Sequence, residues 1–207
     1  QAVGEGNYGR LDPDQQQRYT DANAETMFSE PATGGSPDEQ PGAMPEIFPS
    51  TPNGDASQGI PPNIERCWTC RSMFMQAWGN YGTAWPVIHQ QLGVRPFLNH
   101  GTLQVVPQVP PGQPRLEGTN IRVGSGSVDV LATRAGTTYS TTVDATRTPG
   151  TVLLIGHTLP RGSRPIAVTL DGRALKHYDA KLTNRGLEVT APAQPGARHT
   201  LTVTAAS

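Results

Sequence analysis

Apolar and polar residues follow two different patterns along the chain, and the change falls near residue 100. Up to about Asn99, Met, Trp, Phe and Ala recur at helical spacing, with an interruption rich in Pro, Gly and Ser from Pro31 to Pro62. Beyond Gly101, Thr, Val, Leu and Ile alternate with polar residues in short runs. The first pattern predicts helices and the second predicts an antiparallel β-sandwich. We therefore expect an α+β chain with a helical part at 1–100 and a β-sandwich domain at 101–207.

The second part contains eight predicted strands, each a short alternating run bounded by Pro, Gly, Asn, Asp or Ser. The Asp171-Gly172 pair is a strong signal for a tight hairpin turn. The predicted strands cover residues 102–108, 120–124, 127–135, 138–145, 151–158, 165–170, 186–192 and 198–205.

The first part contains two predicted helices. One begins at Pro13, with Asp12 as its N-cap, and runs to about Phe28. The other runs from about Glu65 to Leu92. Four aromatic residues share one face of this second helix, and Met and Trp lie on its other sides, so most of its circumference needs cover. The aromatic stripe consists of Phe74, Trp78, Tyr81 and Trp85.

Two residues near the end of the second helix limit its course. Pro86 removes one backbone donor and is expected to kink or divide the helix. Gly93 is expected to lie just beyond the helix end, where glycine readily adopts a left-handed conformation.

Charge and hydropathy exclude some classes of function. The formal net charge is −1, and Lys and Arg are scattered, so the sequence does not favour nucleic-acid binding. The longest apolar run, Val152 to Ile155, has the length of a strand and is far too short for a membrane span. The first ten residues contain neither the basic nor the apolar region of a signal peptide.

Three segments resemble a known group of enzymes. They are G-x-x-P-E-I at 42–47, C-x-x-x-x-x-Q-A-W-G from Cys70 to Gly79, and LGVRP at 92–96 followed by LQVVPQVP at 103–110. Together they resemble the C-terminal end of the six-hairpin (α/α)6-barrel glycosidases, most closely the glucosidase domain of glycogen-debranching enzymes and the glucoamylases. The resemblance implies terminal helices of an (α/α)6 barrel followed by the β-sandwich.

The resemblance also implies site residues for cleavage of an α-glucoside or a related glycan. Glu46 would be the general base of an inverting mechanism, which needs a second, protonated carboxyl. Nothing in this chain matches that general acid, so we expect the chain alone to be inactive. The rest of the barrel would belong to a longer chain or a separate fragment. The substrate-binding candidates are Asp38, Glu39, Gln76, Trp78 and Tyr81.

Each candidate also has a structural interpretation. Glu46 could be a solvated loop carboxylate or a helix cap. Trp78 and Trp85 could stack on sugar rings, but core packing is the commoner role for aromatic residues on a periodic helix face. Gln76 and Tyr81 could hydrogen-bond either sugar hydroxyls or backbone groups.

Cys67 and Cys70 form a C-W-T-C motif at the start of the second helix. A disulfide that holds the end of the preceding loop is the preferred interpretation, with two reduced core thiols as the next. A redox role is a third alternative, although the βαβ context of such motifs is absent. A disulfide would indicate an oxidising compartment, so the predicted location is extracellular or at the cell surface.

The five His residues lack metal-ligand spacing, and we predict neither a metal site nor another cofactor. The preferred function is that of the C-terminal part of a glycoside hydrolase with an oligo- or polysaccharide substrate. The alternative is a non-catalytic surface or assembly module whose β-sandwich binds a glycan or another subunit.

Overall fold

The computed structural model describes residues 13–25, 77–148 and 151–206. The chain divides into two compact units, one formed by Gln1–Gln17 with Pro86–Ser207 and the other by Arg18–Trp85. All strands of the described part belong to the first unit. In chain order they are β1 (Val94–Phe97), β2 (Thr102–Val105), β3 (Arg115–Val123), β4 (Gly126–Ala135), β5 (Thr138–Asp144), β6 (Val152–Leu159), β7 (Arg164–Leu170), β8 (Arg173–Ala174), β9 (Asp179–Leu182), β10 (Leu187–Ala193) and β11 (Arg198–Ala206).

The strands form two sheets. The five-stranded sheet has the order β1-β2-β6-β10-β9, and the six-stranded sheet has the order β3-β4-β5-β11-β7-β8. Neighbouring strands are antiparallel except for β2 and β6, which run parallel, with Thr102 paired with Val152. The two sheets share one hydrophobic core, so the architecture is a β-sandwich.

The core lies between the sheets and is built from every second residue of the central strands. In β6, for example, Leu153, Ile155 and Leu159 are fully buried, while Val152 is half exposed. Burial of aliphatic side chains on both inner faces supplies the main stabilisation of such a sandwich. The six-stranded sheet contributes mainly Val128, Val130, Ala132, Val143, Leu201 and Val203.

All eight predicted strands are confirmed as β2 to β7, β10 and β11. The sequence pattern missed β1, β8 and β9. Strand β1 lies at a sheet edge and contains Pro96, β8 has two residues, and every residue of β9 is exposed. Neither β1 nor β8 shows a regular alternation of apolar and polar residues, and the short alternating run of β9 has no buried side chain.

The Asp171-Gly172 turn is also confirmed, because it connects β7 to β8. Both residues have positive φ angles, 52° and 77°. Two consecutive positive φ angles match the right-handed twist of a hairpin and suit Asp and Gly.

The described helices are short. Helix α1 spans Pro13–Glu25, and helix α2 spans Ala77–Trp85. A π-helix, Pro86–Gln91, follows α2 directly, so the helix changes type at the proline that was expected to kink or divide it. Gly93 has a φ angle of +67°.

The predicted fold class is wrong in its helical half. The described chain is mostly β, with two short α-helices, one π-helix and one 3₁₀-helix (Leu98–His100), and contains no part of an (α/α)6 barrel. The second helix was predicted to end at Leu92, and the chain enters the sandwich at Val94. Val94 is buried in the core and pairs with Val105 of β2, so this segment belongs to the sheet.

The start of α1 is tied to the sandwich unit by polar contacts within that unit. Gln16 and Gln17 exchange side-chain hydrogen bonds with Gln90 and Gln91 of the π-helix. Gln16 and Gln90 are both buried. Their mutual hydrogen bond satisfies amide groups that would otherwise be costly to bury.

His157 is a buried polar residue between the two sheets. Its side chain is fully buried on the inner face of β6, and its Nδ1 atom lies 2.8 Å from Oγ1 of Thr141 on β5. The ring also packs at 5.3 Å from that of Tyr139. Burial, together with the charges of Arg185 and Arg134, lowers the pKa of His157 from 6.5 to about 3. The sandwich therefore holds this imidazole neutral.

We expect the stability of the sandwich to decrease as the pH falls from 6.5 towards 3. Over this range the unfolded chain binds a proton at His157 that the folded chain does not, so stability is complete above pH 6.5 and is lost below it. The limiting slope is about 1.4 kcal/mol per pH unit. Urea unfolding between pH 4 and pH 8 measures this slope.

The matched variants are His157→Asn, whose side chain can keep a hydrogen bond to Thr141 without titrating, and His177→Asn at an exposed position. The first should flatten the pH dependence, and the second should leave it unchanged. An equally steep acid limb in His157→Asn would contradict the assignment.

Candidate functional site

The outer face of the five-stranded sheet carries a cleft of about 630 Å³. Its floor includes Gln104, Leu154 and Thr190, which alternate with core residues along β2, β6 and β10. Residues paired across strands share a face, and Gln104 pairs with Leu154. The cleft is therefore the outer side of the strands that form the core.

One wall of the cleft is formed by β9 and the turn that follows it. Asp179 and Lys181 project from β9, and Thr183, Asn184 and Arg185 belong to the turn before β10. The opposite side is lined by Arg95 of edge strand β1, which pairs with Gln104. Charged side chains thus approach the floor from both edges of the sheet.

The turn at 183–186 is fixed by a set of hydrogen bonds. The backbone N–H of Thr183 donates to the carbonyl of Gly186 at 2.8 Å, and the hydroxyl of Thr183 accepts from the N–H of Arg185 at 3.2 Å. Arg161 donates to the carbonyls of Thr183 and Asn184 at 3.0 and 3.1 Å. These contacts hold the turn against the sheet.

Gly186 permits a close approach of the turn to β6. Its φ angle is +150°, and a Cβ atom at this position would lie 2.3 Å from the carbonyl oxygen of Leu159. Only glycine fits there without displacing backbone.

Glu188 is the centre of an ion-pair network in the cleft. Its Oε1 atom lies 3.3 Å from Nη1 of Arg185 and 3.8 Å from Nη1 of Arg95. The hydroxyl of Thr183 donates to the same oxygen at 3.3 Å. The Glu188 side chain is 9% exposed and that of Arg185 is 6% exposed, so these two charges are buried together. Pairing of this kind is what makes the burial of a charge tolerable.

Arg185 connects the cleft to the segments that precede it. Its guanidinium donates to the carbonyl of Val106 at 3.2 Å and to the carbonyl of Gln90. Gln108 in turn donates to the carbonyl of Arg185 at 2.7 Å. The Arg185 side chain is 6% exposed. Burial, and after it repulsion by Arg95, lowers the pKa of Arg185 to about 10, while the carboxylate of Glu188 opposes this shift. The guanidinium therefore stays charged at neutral pH.

A second polar cluster lies on the other sheet. His199 Nδ1 is 2.7 Å from Oδ2 of Asp171, and the N–H of Thr200 donates to Oδ1 at 2.8 Å. Partial burial alone would raise the pKa of Asp171, but the hydrogen bonds from His199 and Thr200 hold it below its usual value. His199 Nε2 contacts the carbonyl of Gln194 at 3.1 Å, so both ring nitrogens are engaged. The cluster fastens the Asp171-Gly172 turn to β11.

The site residues predicted from the sequence fall almost entirely outside the described residues. Tyr81 is located, with its ring 52% exposed and stacked at 4.9 Å on that of Trp85. Trp78 belongs to helix α2, but its side chain lies outside the described part. The remaining predicted residues also lie outside it, namely Asp38, Glu39, Glu46, Cys67, Cys70 and Gln76. Their roles stay predictions.

The cleft was not predicted from the sequence. Its residues are the polar members of alternating strands, which the pattern identifies only as facing away from the core. The two strongest signals were Arg185 and Glu188, charged residues close to a predicted strand. Nothing in the sequence showed that Arg185 is buried, because that depends on the approach of residues 90 and 106.

The described residues contain neither a metal-binding cluster nor a membrane-spanning helix. Within residues 13–25, 77–148 and 151–206, no three His, Cys, Asp or Glu side chains are grouped so as to hold a metal ion. In the same ranges, no helix has the length and apolar character needed to cross a membrane.

The fold and the cleft define a β-sandwich with a charged cleft on one sheet, and comparison with known proteins adds little to this. No protein-family model and no curated protein matches the chain. A solved structure, the alpha-L-rhamnosidase from Dictyoglumus thermophilum, is similar to 61% of this chain with 9% sequence identity and a TM-score of 0.43. The match spans 14% of the rhamnosidase chain. At these values it establishes neither family nor function.

Replacement of Arg185 should destabilise the sandwich. Arg185→Met leaves the buried carboxylate of Glu188 without its nearer cation and removes two hydrogen bonds to backbone carbonyls, and breaking such a buried pair costs about 3 kcal/mol. Urea unfolding at pH 7 measures the loss.

The control for this replacement is Arg164→Met, an exposed arginine on β7, which should change the free energy of unfolding by less than about 0.5 kcal/mol. Addition of Glu188→Gln to Arg185→Met should recover part of the loss, because no unpaired charge then remains. Equal effects of the two arginine replacements would refute the proposed network.

Proposed function

We propose that the β-sandwich is a non-catalytic glycan-binding module and that the cleft on the five-stranded sheet is its binding site. The observation that carries the proposal is the mixed set of hydrogen-bonding groups in the cleft. Gln104 and Thr190 on the floor can both donate and accept, as sugar hydroxyls do. The walls add carboxylates that accept and cations that donate, the groups through which polar ligands are oriented in pockets.

The way the site is built supports a binding role. Arg95, Gln104 and Thr190 lie on paired strands, so their backbone positions are fixed by the sheet. Arg185 and Glu188 are held by each other and by backbone carbonyls. Groups that are ordered before the ligand arrives lose little further entropy on binding. The volume of the cleft falls in the range of small-ligand sites.

The same geometry argues against hydrolysis in this cleft. Glycoside hydrolysis needs two carboxyl groups, one of which gives a proton to the leaving oxygen. The cleft contains two carboxylates, Asp179 and Glu188, but Glu188 is engaged by two guanidinium groups and one hydroxyl, all at its Oε1 atom. Its arrangement is that of a positioning group within a binding site.

A loss of glycan binding is expected for Gln104→Ala. Truncation of this floor residue removes an amide that can make two hydrogen bonds to a sugar and should weaken binding about tenfold. Isothermal titration calorimetry with a panel of neutral and acidic oligosaccharides provides the measurement.

Gln113→Ala is the matched control, since Gln113 is also half-buried but does not line the cleft. It should bind like the unmodified protein. If no member of the panel binds, or if both variants lose binding equally, the cleft is not a glycan site.

We also propose a second candidate function, a glycoside hydrolase in which Glu46 is the general base. Its support is the sequence resemblance of residues 42–47 and of the QAWG segment at 76–79. In this proposal Cys67 and Cys70 form a disulfide next to the catalytic loop, and the protein is extracellular or at the cell surface. The general acid is supplied by a longer chain or a separate fragment.

The test of this second candidate is Glu46→Gln in the protein at the full length at which it is isolated from its source. Removal of a general base should lower the rate of hydrolysis of α-glucosides at least a hundredfold. Glu65→Gln, a neighbouring carboxylate outside the motif, should retain full activity. Equal activity of the two variants, or no hydrolysis by the unmodified protein, would exclude the role of Glu46.

A further inference from the structure

The charges around the cleft are unequal. Its lining contains three cations, Arg95, Lys181 and Arg185, and two carboxylates, Asp179 and Glu188. The cleft therefore has a positive excess, although the whole chain has a formal net charge of −1. The average composition of the chain does not account for this positive excess, so the excess indicates the charge of the ligand that the cleft binds.

The excess is concentrated around one oxygen atom. Arg185 and Arg95 both approach Oε1 of Glu188, at 3.3 and 3.8 Å. One carboxylate thus faces two guanidinium groups. Repulsion by Arg95 is the second cause, after burial, of the lowered pKa of Arg185.

Arg95 and Lys181 are the two cations that a ligand can reach. The Arg95 side chain is 29% exposed, and the contact with Glu188 at 3.8 Å is too long for a hydrogen bond. Lys181 is exposed and lies directly across from Glu188 in the β9–β10 pairing. They lie on opposite edge strands of the same sheet, so they line the cleft from its two sides.

We propose that the glycan bound in this cleft carries carboxylate groups, so that the ligand class is an oligosaccharide of uronic acids. This inference rests on the proposed glycan-binding function and specifies its ligand. Arg95 receives a sugar carboxylate through its planar guanidinium, and Lys181 provides a second positive charge from β9. The amide of Gln104 and the hydroxyl of Thr190 face the sugar hydroxyls.

The experiment compares two ligands that differ only in the presence or absence of the carboxylate groups. One is a trisaccharide of galacturonic acid, and the other is the galactose trisaccharide obtained from it by reduction of the carboxyl groups. Both are titrated into the full chain at low and at high ionic strength. Acetate at the same carboxylate concentration tests whether the charge alone suffices.

The expected result is binding of the acidic trisaccharide at least tenfold tighter than that of the neutral one. High salt should weaken the acidic complex and leave the neutral one unchanged, because salt screens charge pairs. Lys181→Met should weaken the acidic complex about fivefold and the neutral one by less, so the preference for the acidic trisaccharide should fall. Lys176→Met, an exposed lysine that does not line the cleft, should have no effect.

The other outcomes overturn the inference in distinguishable ways. Equal affinity for both trisaccharides would reject the carboxylate preference and leave glycan binding in place. Acetate binding as tightly as the acidic trisaccharide would show a simple anion site and reject a glycan ligand. Absence of binding by both trisaccharides would reject the uronic-acid ligand, and the oligosaccharide panel would then decide separately whether the cleft binds any glycan.

Discussion

The buried guanidinium of Arg185 is the interaction on which the cleft depends. It makes contact with three separate parts of the chain, namely the carbonyl of Gln90 in the π-helix, the carbonyl of Val106 after β2, and the carboxylate of Glu188 on β10. Each acceptor would otherwise lose hydrogen bonds to water on folding. The planar fork of an arginine can serve all three at once, which a lysine could not do with the same geometry.

The sandwich uses the same strands for two purposes. Along β2, β6 and β10, one set of alternate residues forms an aliphatic core, and the other set forms the floor of the cleft. The position of Gln104 is therefore set by the packing of Leu103 and Val105 on either side of it. A slip of one residue in the register of β2 would exchange floor and core, so the stability of the core also fixes the geometry of the site.

The sequence predicted the strands well and the site poorly, for physical reasons. Strands such as β4 and β6 alternate regularly because one face is buried, and this periodicity is local. The cleft depends on strand order, and no local pattern indicates that β9 lies at the edge next to β10. The helical barrel was inferred mainly from motifs at 42–47 and 70–79, of which the structure describes only residues 77–79. The chain forms strands from Val94 onward. The helical spacing of the aromatic residues before Val94 does not indicate this change.

The parallel pairing of β2 with β6 has a consequence for the order of folding. Strands β3, β4 and β5 follow one another between them and belong to the opposite sheet, where they pair as consecutive hairpins. Hairpins close short loops. The pairing of Thr102 with Val152 closes a long loop, and the entropy cost of closing it is not offset by stabilising contacts until both strands are in place. The six-stranded sheet can thus begin to assemble from local contacts. The five-stranded sheet, and with it the charged cleft, is completed only when the chain returns from the other side of the sandwich.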